Sequence, residues 1–443
     1  MKVQTVVCYS LSLPDQESMA YIRFIAPCRQ AGIHLVDGMQ NGCAVPDRVI
    51  EGDVVIIQRQ FPQRFHEYQE IIKIARHEQK PVVFDLDDLL FFLPEDHPDR
   101  LSHSFSFALL PMLQALLEAN VVTVSTSRLR DVLINYNENV VVLPNYFDDA
   151  LWCSKHPTPR GTSQQDVLTI GYMGTNSHKP DLEYIAPVLL RLLDRYFPRL
   201  SLRFWGTPPP LALHSYPQVQ WTPLGIRSYP EFMKWFQAQS ADIFIAPLVD
   251  NLFNRCKSPL KFFEYSALGV PGIYSRLDPY ENIVRHGYNG LLATTLAEWE
   301  ECLARLIEDD ALRIRLATEA QATIKEKWFL SQNISRWLEV FHNALRVGRG
   351  DSQDSKAILN VVRSINLQLF EASQALAVRI SEQAQTIQEQ AQTIQEQAQT
   401  IQEQAQKIQQ LESEILGYVL SRSWRLTRPF RRMSRVFKRP GRK

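Results

Sequence analysis

Through its first 345 residues the chain alternates short, mainly apolar runs with longer stretches whose apolar positions recur at helical spacing. VQTVVCYSL, DVVIIQRQF, PVVF, NVVTVS and VVVLPN are the runs of the first third, and SMAYIRFIAPCRQAG, HEYQEIIKIARHEQ and LLPMLQALLEA separate them. Strands that are apolar throughout, rather than at every second residue, are buried on both faces, as in a parallel sheet covered by helices. The alternation resumes after residue 166 with VLTIGYMG, LSLRFWG, VQWTPLG, ADIFIAPL, PGIYS and NGLLA, and ends in a helical tract over 296–345. Residues 153–166 are polar and rich in Pro, Ser and Thr, the composition of a linker. The pattern predicts an α/β chain of two Rossmann-like domains, 1–152 and 167–346. The helix over 18–31 should break near Pro27 and close at Gly32, with Arg23 read as a surface residue in preference to one that meets a ligand at the strand's carboxyl end.

A second pattern takes over further on. From Ala384 the unit AQTIQEQ occurs three times unchanged and a fourth time degraded. Ala384, Ala391, Ala398 and Ala405 alternate with Ile387, Ile394, Ile401 and Ile408 at three- and four-residue steps, a coiled-coil seam. Residues 354–416 are assigned to it, and the phase is continuous over 370–416, about 70 Å of helix. A homo-oligomer follows, with Ile at the second seam position favouring three strands over two; a solvated single helix is the alternative.

Charge changes the picture at the end of the chain. The totals balance, 48 basic against 48 acidic, yet residues 417–443 hold ten Lys or Arg and no acid. Phe430, Met433, Val436 and Phe437 fall on one side of a helix, with Arg431, Arg432, Arg435, Lys438 and Arg439 largely on the other. An apolar stripe flanked by cations predicts an anchor on an anionic membrane surface. Nucleic acid is the rival partner for that tail, and the membrane is preferred. Six cysteines without paired or ligand spacing read as free thiols, and no apolar stretch has the length of a signal peptide or a membrane span. The expected location is cytoplasmic, at the inner face of the cell membrane.

Candidate chemistry centres on residues 254–275, NRCKSPLKFFEYSALGVPGIYS. Ser258 is placed to cap a short helix that Gly269 and Pro271 end. Lys257, Lys261, Glu264 and Leu268 follow at spacings of four, three and four, so two ammonium groups and one carboxylate share a face. Where a strand feeds a helix, that set suits a ligand with a diphosphate for the lysines and a diol for Glu264. An ordinary amphipathic helix with an ion pair is the plain alternative. The segment resembles the nucleotide-sugar site of GT-B glycosyltransferases, a lysine, then a glutamate-tyrosine pair, then small-x-Gly-x-Pro, matched by Lys261, Glu264, Tyr265, Ala267, Gly269 and Pro271. Many retaining members carry another glutamate eight residues before the pair, where this chain has Cys256, and a role resting on it is not carried over.

Two further stretches belong beside it. GYMGTNSHK offers Gly174 for close backbone approach to a diphosphate, with Thr175, Ser177 and Lys179 as donors. Gly206 ends the next strand, a corner that in the resembled family meets the nucleotide base. In the first domain an apolar strand delivers Asp85, Asp87 and Asp88. Their D-x-D spacing fits metal chelation and resembles the first motif of haloacid-dehalogenase-type phosphatases, with Asp85 as nucleophile, although Leu89 stands where that family has Thr or Val. Acceptor recognition or general-base chemistry in a transferase cleft fits the position best. His97 and His103 follow in a loop, and some GT-B enzymes orient a sugar or acceptor with such a histidine. The resemblance also places Asn145 at the cleft and sends a final helix, around 328–345, back to the first domain.

The resemblance thus implies a hexosyl-type glycosyltransferase of cell-envelope polysaccharide synthesis, leaning to retention of configuration. It would move sugar from a nucleotide-diphosphate sugar to a glycan or lipid-linked acceptor. Lys257, Lys261 and the Gly174 loop would stabilise the departing diphosphate in place of a metal, with no cofactor. Asp85, Asp87, Asp88 or His103 would serve the acceptor. SRSWRLTRP in the tail is similar to the ends of bacterial transferases that build surface polysaccharide. A catalytically inactive GT-B-like scaffold oligomerised by the coiled coil, and the phosphatase, are the alternatives.

Overall fold

The computed structural model describes residues 3–13, 15–152, 167–226, 228–347, 353–427 and 429–431. The linker at 153–166 and the cationic stripe beyond Arg431, with Met433, Val436 and Phe437, lie outside the described residues.

Two parallel six-stranded sheets form the body. The first contains β1 (Thr5–Tyr9), β2 (His34–Asp37), β3 (Val54–Gln58), β4 (Val82–Leu86), β5 (Val121–Val124) and β6 (Val140–Val142), in the order β2-β1-β3-β4-β5-β6. The second contains β7 (Leu168–Gly174), β8 (Leu200–Gly206), β9 (Val219–Thr222), β10 (Ile243–Ala246), β11 (Gly272–Ser275) and β12 (Leu291–Ala293), in the order β9-β8-β7-β10-β11-β12. Every residue of β3, β4, β5, β7 and β10 is buried, which is why these strands are apolar runs and not alternating ones. In each sheet the winding direction reverses beside the first strand, between β1 and β3 and between β7 and β10. The crevice at the carboxyl ends there is where open sheets take ligands.

The helical run from Ser18 to Ala31 does not break at Pro27. It widens to π winding over Tyr21–Ile25, continues as α-helix through the proline, and closes at Gly32 with φ 67°. Pro27 has no N–H for the carbonyl four residues back, that of Arg23, and this carbonyl takes the indole N–H of Trp337 at 2.6 Å. Arg23 is therefore not a surface residue. It is wholly buried, its Nη2 2.6 Å from Asp85 Oδ1 and its Nη1 donating to the Leu143 carbonyl and to Asn145 Oδ1.

Five helices of this body matter below: α1 (Phe65–His77), α2 (Leu109–Glu118), α3 (Lys179–Arg195), α4 (Tyr229–Gln237) and α5 (Leu260–Ala267). Trp337 belongs to α6 (Ser335–Arg346), which follows the second sheet in sequence yet packs against residues 26–31, β3 and β5 of the first domain. α7 (Gln353–Leu420) then runs 68 residues, about 100 Å of helix. Its first turns are fastened to the first domain: Asn366 Nδ2 donates to Gln114 Oε1 at 2.9 Å, and Arg363 pairs with Glu118. Buried Glu118 also meets Arg76 of α1 and accepts from Tyr68 at 2.6 Å. Residues 367–443 form a unit of their own. Along it Ile387, Ile394 and Ile401 are about two-thirds exposed, at 65%, 65% and 66%. No helix among the described residues is long and apolar enough to cross a membrane.

Candidate active site

A cleft of about 670 Å³ opens at the carboxyl ends of the two sheets. The first domain contributes Arg59, Asp87, Asp88, His97 and Asn145 to its wall. The second contributes Gly174, Thr175 and His178 from the loop after β7, Lys257, Lys261 and Glu264 from around α5, and Tyr229 from the start of α4.

On the second-domain side everything is hung on α5. The helix begins at Leu260, after Pro259, and no side chain caps it. Ser258 does not cap; its hydroxyl accepts from Asn145 Nδ2 at 3.0 Å, joining the two domains. Thr126 makes a second bridge to the carbonyl of Cys256 at 2.9 Å. Lys257 sends its ammonium over the Phe253 ring, 4.5 Å from the centroid. Lys261 reaches His178 Nε2 at 3.1 Å. Burial pushes the Lys261 ammonium down to about 8, against the pull of the Glu264 carboxylate. Burial likewise raises Glu264 to about 7, opposed by Lys261 and by the Tyr229 hydroxyl, which donates to Glu264 Oε1 at 3.2 Å. Buried opposite charges of this kind are held ready for a ligand that brings both an anion and hydroxyl donors.

The remaining sequence candidates of this domain divide. Gly174 and Thr175 are on the wall, whereas Lys179 is exposed at the first turn of α3 and is not on it. Gly206 is also off the wall, and its need is conformational: φ is 87°, and a Cβ would stand 2.2 Å from the Gly174 carbonyl. Tyr265 is wholly buried, stacked on Phe244 with ring centroids 4.1 Å apart, and anchors α5 to the sheet without facing the cleft.

In the first domain the three aspartates have three fates. Asp85 is enclosed, gripped by Arg23 and accepting from Thr123 at 2.7 Å, so it can neither meet an acceptor nor serve as a phosphatase nucleophile. Asp87 faces Arg59 instead, with Nε 3.2 Å from Oδ1, so the D-x-D carboxylates do not converge on a metal. Burial raises Asp87 to about 6, offset by Arg59 and reinforced by Asp88 and Asp85. Asp88 is half-buried on the wall. Of the two histidines, His103 is exposed at φ 57° and stays off the wall, whereas His97 is 3% exposed, packs edge-on against Phe253 and has no hydrogen-bond partner at Nε2 among the described residues.

Sequence reasoning missed Arg59, His178, Asp181 and Tyr229. Arg59 directly follows β3 and sits at φ 48°, so its place at the carboxyl end of a strand was the available signal. His178 and Asp181 are three residues apart at the start of α3, close enough for Nδ1 and Oδ2 to meet at 2.8 Å.

Residues 187–339 match a family described as Glycosyl transferase-like. No curated protein is a significant match in sequence. Among solved structures, sucrose-phosphate synthase from Thermosynechococcus elongatus is similar with a TM-score of 0.54 and 12% identity, over 77% of this chain and 100% of that one. HepE of Anabaena, in complex with UDP and glucose, is similar with a TM-score of 0.52 and 16% identity, over 76% of this chain and 99% of that one. OtsA, in an apo structure, is similar with a TM-score of 0.50 and 12% identity, over 77% and 99%. At such identities the likeness is one of fold.

Proposed function

We propose that this chain, which has the two-domain GT-B fold, is a glycosyltransferase whose cleft transfers a sugar from a nucleoside-diphosphate sugar to a glycan hydroxyl. One observation carries the reading: Lys257, Lys261 and Glu264 meet the Gly174 loop across one cleft, at the reversal point of the second sheet.

In this reading the diphosphate lies against the uncapped first turn of α5 and the two ammonium groups. Glu264, braced by Tyr229, accepts from the ribose hydroxyls. As the bond to the sugar breaks, negative charge grows on the leaving phosphate, and fixed cations in a partly desolvated cleft stabilise it without reorganising. No metal or cofactor is assigned. The complex of HepE with UDP and glucose supports uridine diphosphate as the first donor nucleotide to try.

The acceptor enters from the side of Asp87, Asp88 and His97. Asp87 is already engaged by Arg59, which favours a reaction in which the leaving phosphate takes the acceptor proton and configuration is retained. We assign the acceptor to a glycan or lipid-linked glycan of the cell envelope, because ten basic residues and no acid end the chain and suit an anionic membrane. The heptad seam of α7 would join copies of the chain.

The test is a thermal-shift screen against uridine, guanosine, adenosine, cytidine and thymidine diphosphates, followed by turnover of the matching sugar with lipid-linked acceptors. Stabilisation by one of them with product formation supports the enzyme. Stabilisation without turnover on any acceptor supports the inactive scaffold, and no stabilisation rejects the site.

A further inference from the structure

Three buried side chains link the loop after β10 to the cleft. Asp181 Oδ1 accepts from the Val249 amide at 2.7 Å and from Asn254 Nδ2 at 2.9 Å. Its other oxygen lies 2.8 Å from His178 Nδ1, and His178 Nε2 lies 3.1 Å from Lys261 Nζ. Both His178 and Asp181 are buried, at 8% and 3% exposure.

The chemistry of the partners fixes the proton. Burial raises Asp181 to about 6, so at neutral pH it is ionised and only accepts, and Nδ1 carries the hydrogen. The neutral ring then has its lone pair on Nε2, facing an ammonium that only donates. A doubly protonated ring would set two cations 3.1 Å apart in a buried site, and burial together with Lys261 and Lys257 does drive His178 well below its usual range.

We propose that His178 is a positioning residue for the proposed diphosphate site, locked by Asp181 as the Nδ1–H tautomer so that its Nε2 holds and orients the Lys261 ammonium. The inference rests on the nucleotide-sugar reading of the cleft and adds to it the group that aims the lysine. Around Lys261 stand Glu264 on its own helix, Lys257 just before it, His178 and Asp181 from the α3 side, Asp88 from the first domain, and the Tyr172 ring 5.8 Å away. Without an acceptor at Nε2, the charged lysine would lose a hydrogen bond in a site where burial already disfavours its charge. Its proton would then leave at lower pH, and the alkaline fall in diphosphate affinity would move down with it.

Side-chain amides separate the two halves of the ring. In His178→Asn the amide can still donate to Asp181 but offers Lys261 no acceptor, whereas His178→Gln places an amide oxygen near the Nε2 position. Affinity for the nucleoside diphosphate that stabilises the wild type best, measured by calorimetry from pH 6 to 10, is the readout. His178→Asn should bind about tenfold more weakly at neutral pH, as for one lost hydrogen bond to a charged group, with its alkaline limb at lower pH. His178→Gln should recover most of both. An Asn variant with unchanged affinity and limb overturns the proposal, as do Asn and Gln variants that weaken alike with the limb unmoved, since that marks a merely structural histidine. Nitrogen NMR of the His178 ring in the unaltered protein gives a test independent of variant folding: the Nε2–H tautomer would overturn the assignment. Failure of the wild type to bind any nucleoside diphosphate would instead strike at the cleft reading itself.

Discussion

Trp337 donates its indole N–H to the carbonyl of Arg23 at 2.6 Å, across 314 residues of sequence. The carbonyl is the one that Pro27 cannot serve, and the Arg23 side chain holds Asp85 and the Leu143 carbonyl behind the cleft and Asn145 on its wall. The returning helix and the cleft wall therefore share one buried arginine. Trp337→Phe keeps the ring packing and removes the donor. It should cost about 1–3 kcal/mol, the usual penalty for a buried carbonyl left unmet, read as a lower midpoint in urea unfolding. An unchanged midpoint would mean that the carbonyl finds another partner.

Burial raises Glu264 to about 7 and lowers Lys261 to about 8, so the two groups bracket the pH range in which both are charged. The sign follows from the charges. Below about 7 the carboxyl gains a proton and becomes a poorer acceptor for ribose hydroxyls, and above about 8 the lysine loses its charge for phosphate. Nucleoside diphosphate affinity should therefore fall on both sides, and Glu264→Gln should abolish the acid limb and, with the carboxylate's pull on the lysine gone, move the alkaline limb to lower pH. Two intact limbs in that variant would remove Glu264 from the site.

Glu118 is buried with Arg76, Arg363 and the Tyr68 hydroxyl around it. Arg363→Ala leaves one arginine for a carboxylate that water cannot reach freely, and should lower stability by about 1–3 kcal/mol. The double variant with Arg76→Ala should lose more than the two single losses added, because the second removal strands the charge. Strict additivity in thermal or urea unfolding would show that the two arginines act independently.

The exposed isoleucines of α7 make the oligomer testable apart from catalysis. Replacing Ile394 and Ile401 with Asp places charges in the repeat seam and should convert an oligomer to a monomer in light scattering, with nucleotide affinity unchanged. A wild type that is already monomeric at micromolar concentration would reject the assembly. Removing residues 417–443 should release the protein from vesicles containing anionic lipid, and undiminished co-sedimentation would reject the anchor.

The two sheets were legible because their strands hold unbroken apolar runs, such as VVII over 54–57 and VVF over 82–84, a pattern that double burial explains. Lys261, Glu264 and Gly174 were legible because chemistry and local spacing coincide in one short segment each. Arg23 was not. Its burial depends on Asp85, Leu143, Asn145 and Trp337, residues from four distant places, and no local pattern distinguishes it from a surface arginine. Asp85 was misplaced for the same reason, since only the position of Arg23 shows that its carboxylate is spent inside. His97 and His103 are six residues apart in one loop, and the contact with Phe253, on the other domain, is what separates the buried ring from the exposed one.

The central claim is that the lysines and glutamate of α5 grip a nucleoside diphosphate, and calorimetric titration of Lys261→Ala beside the wild type tests it most directly. The loss of one charge-assisted contact predicts a dissociation constant raised about 10- to 150-fold, for a contact worth about 1.5–3 kcal/mol. Equal affinity in the two proteins would contradict it.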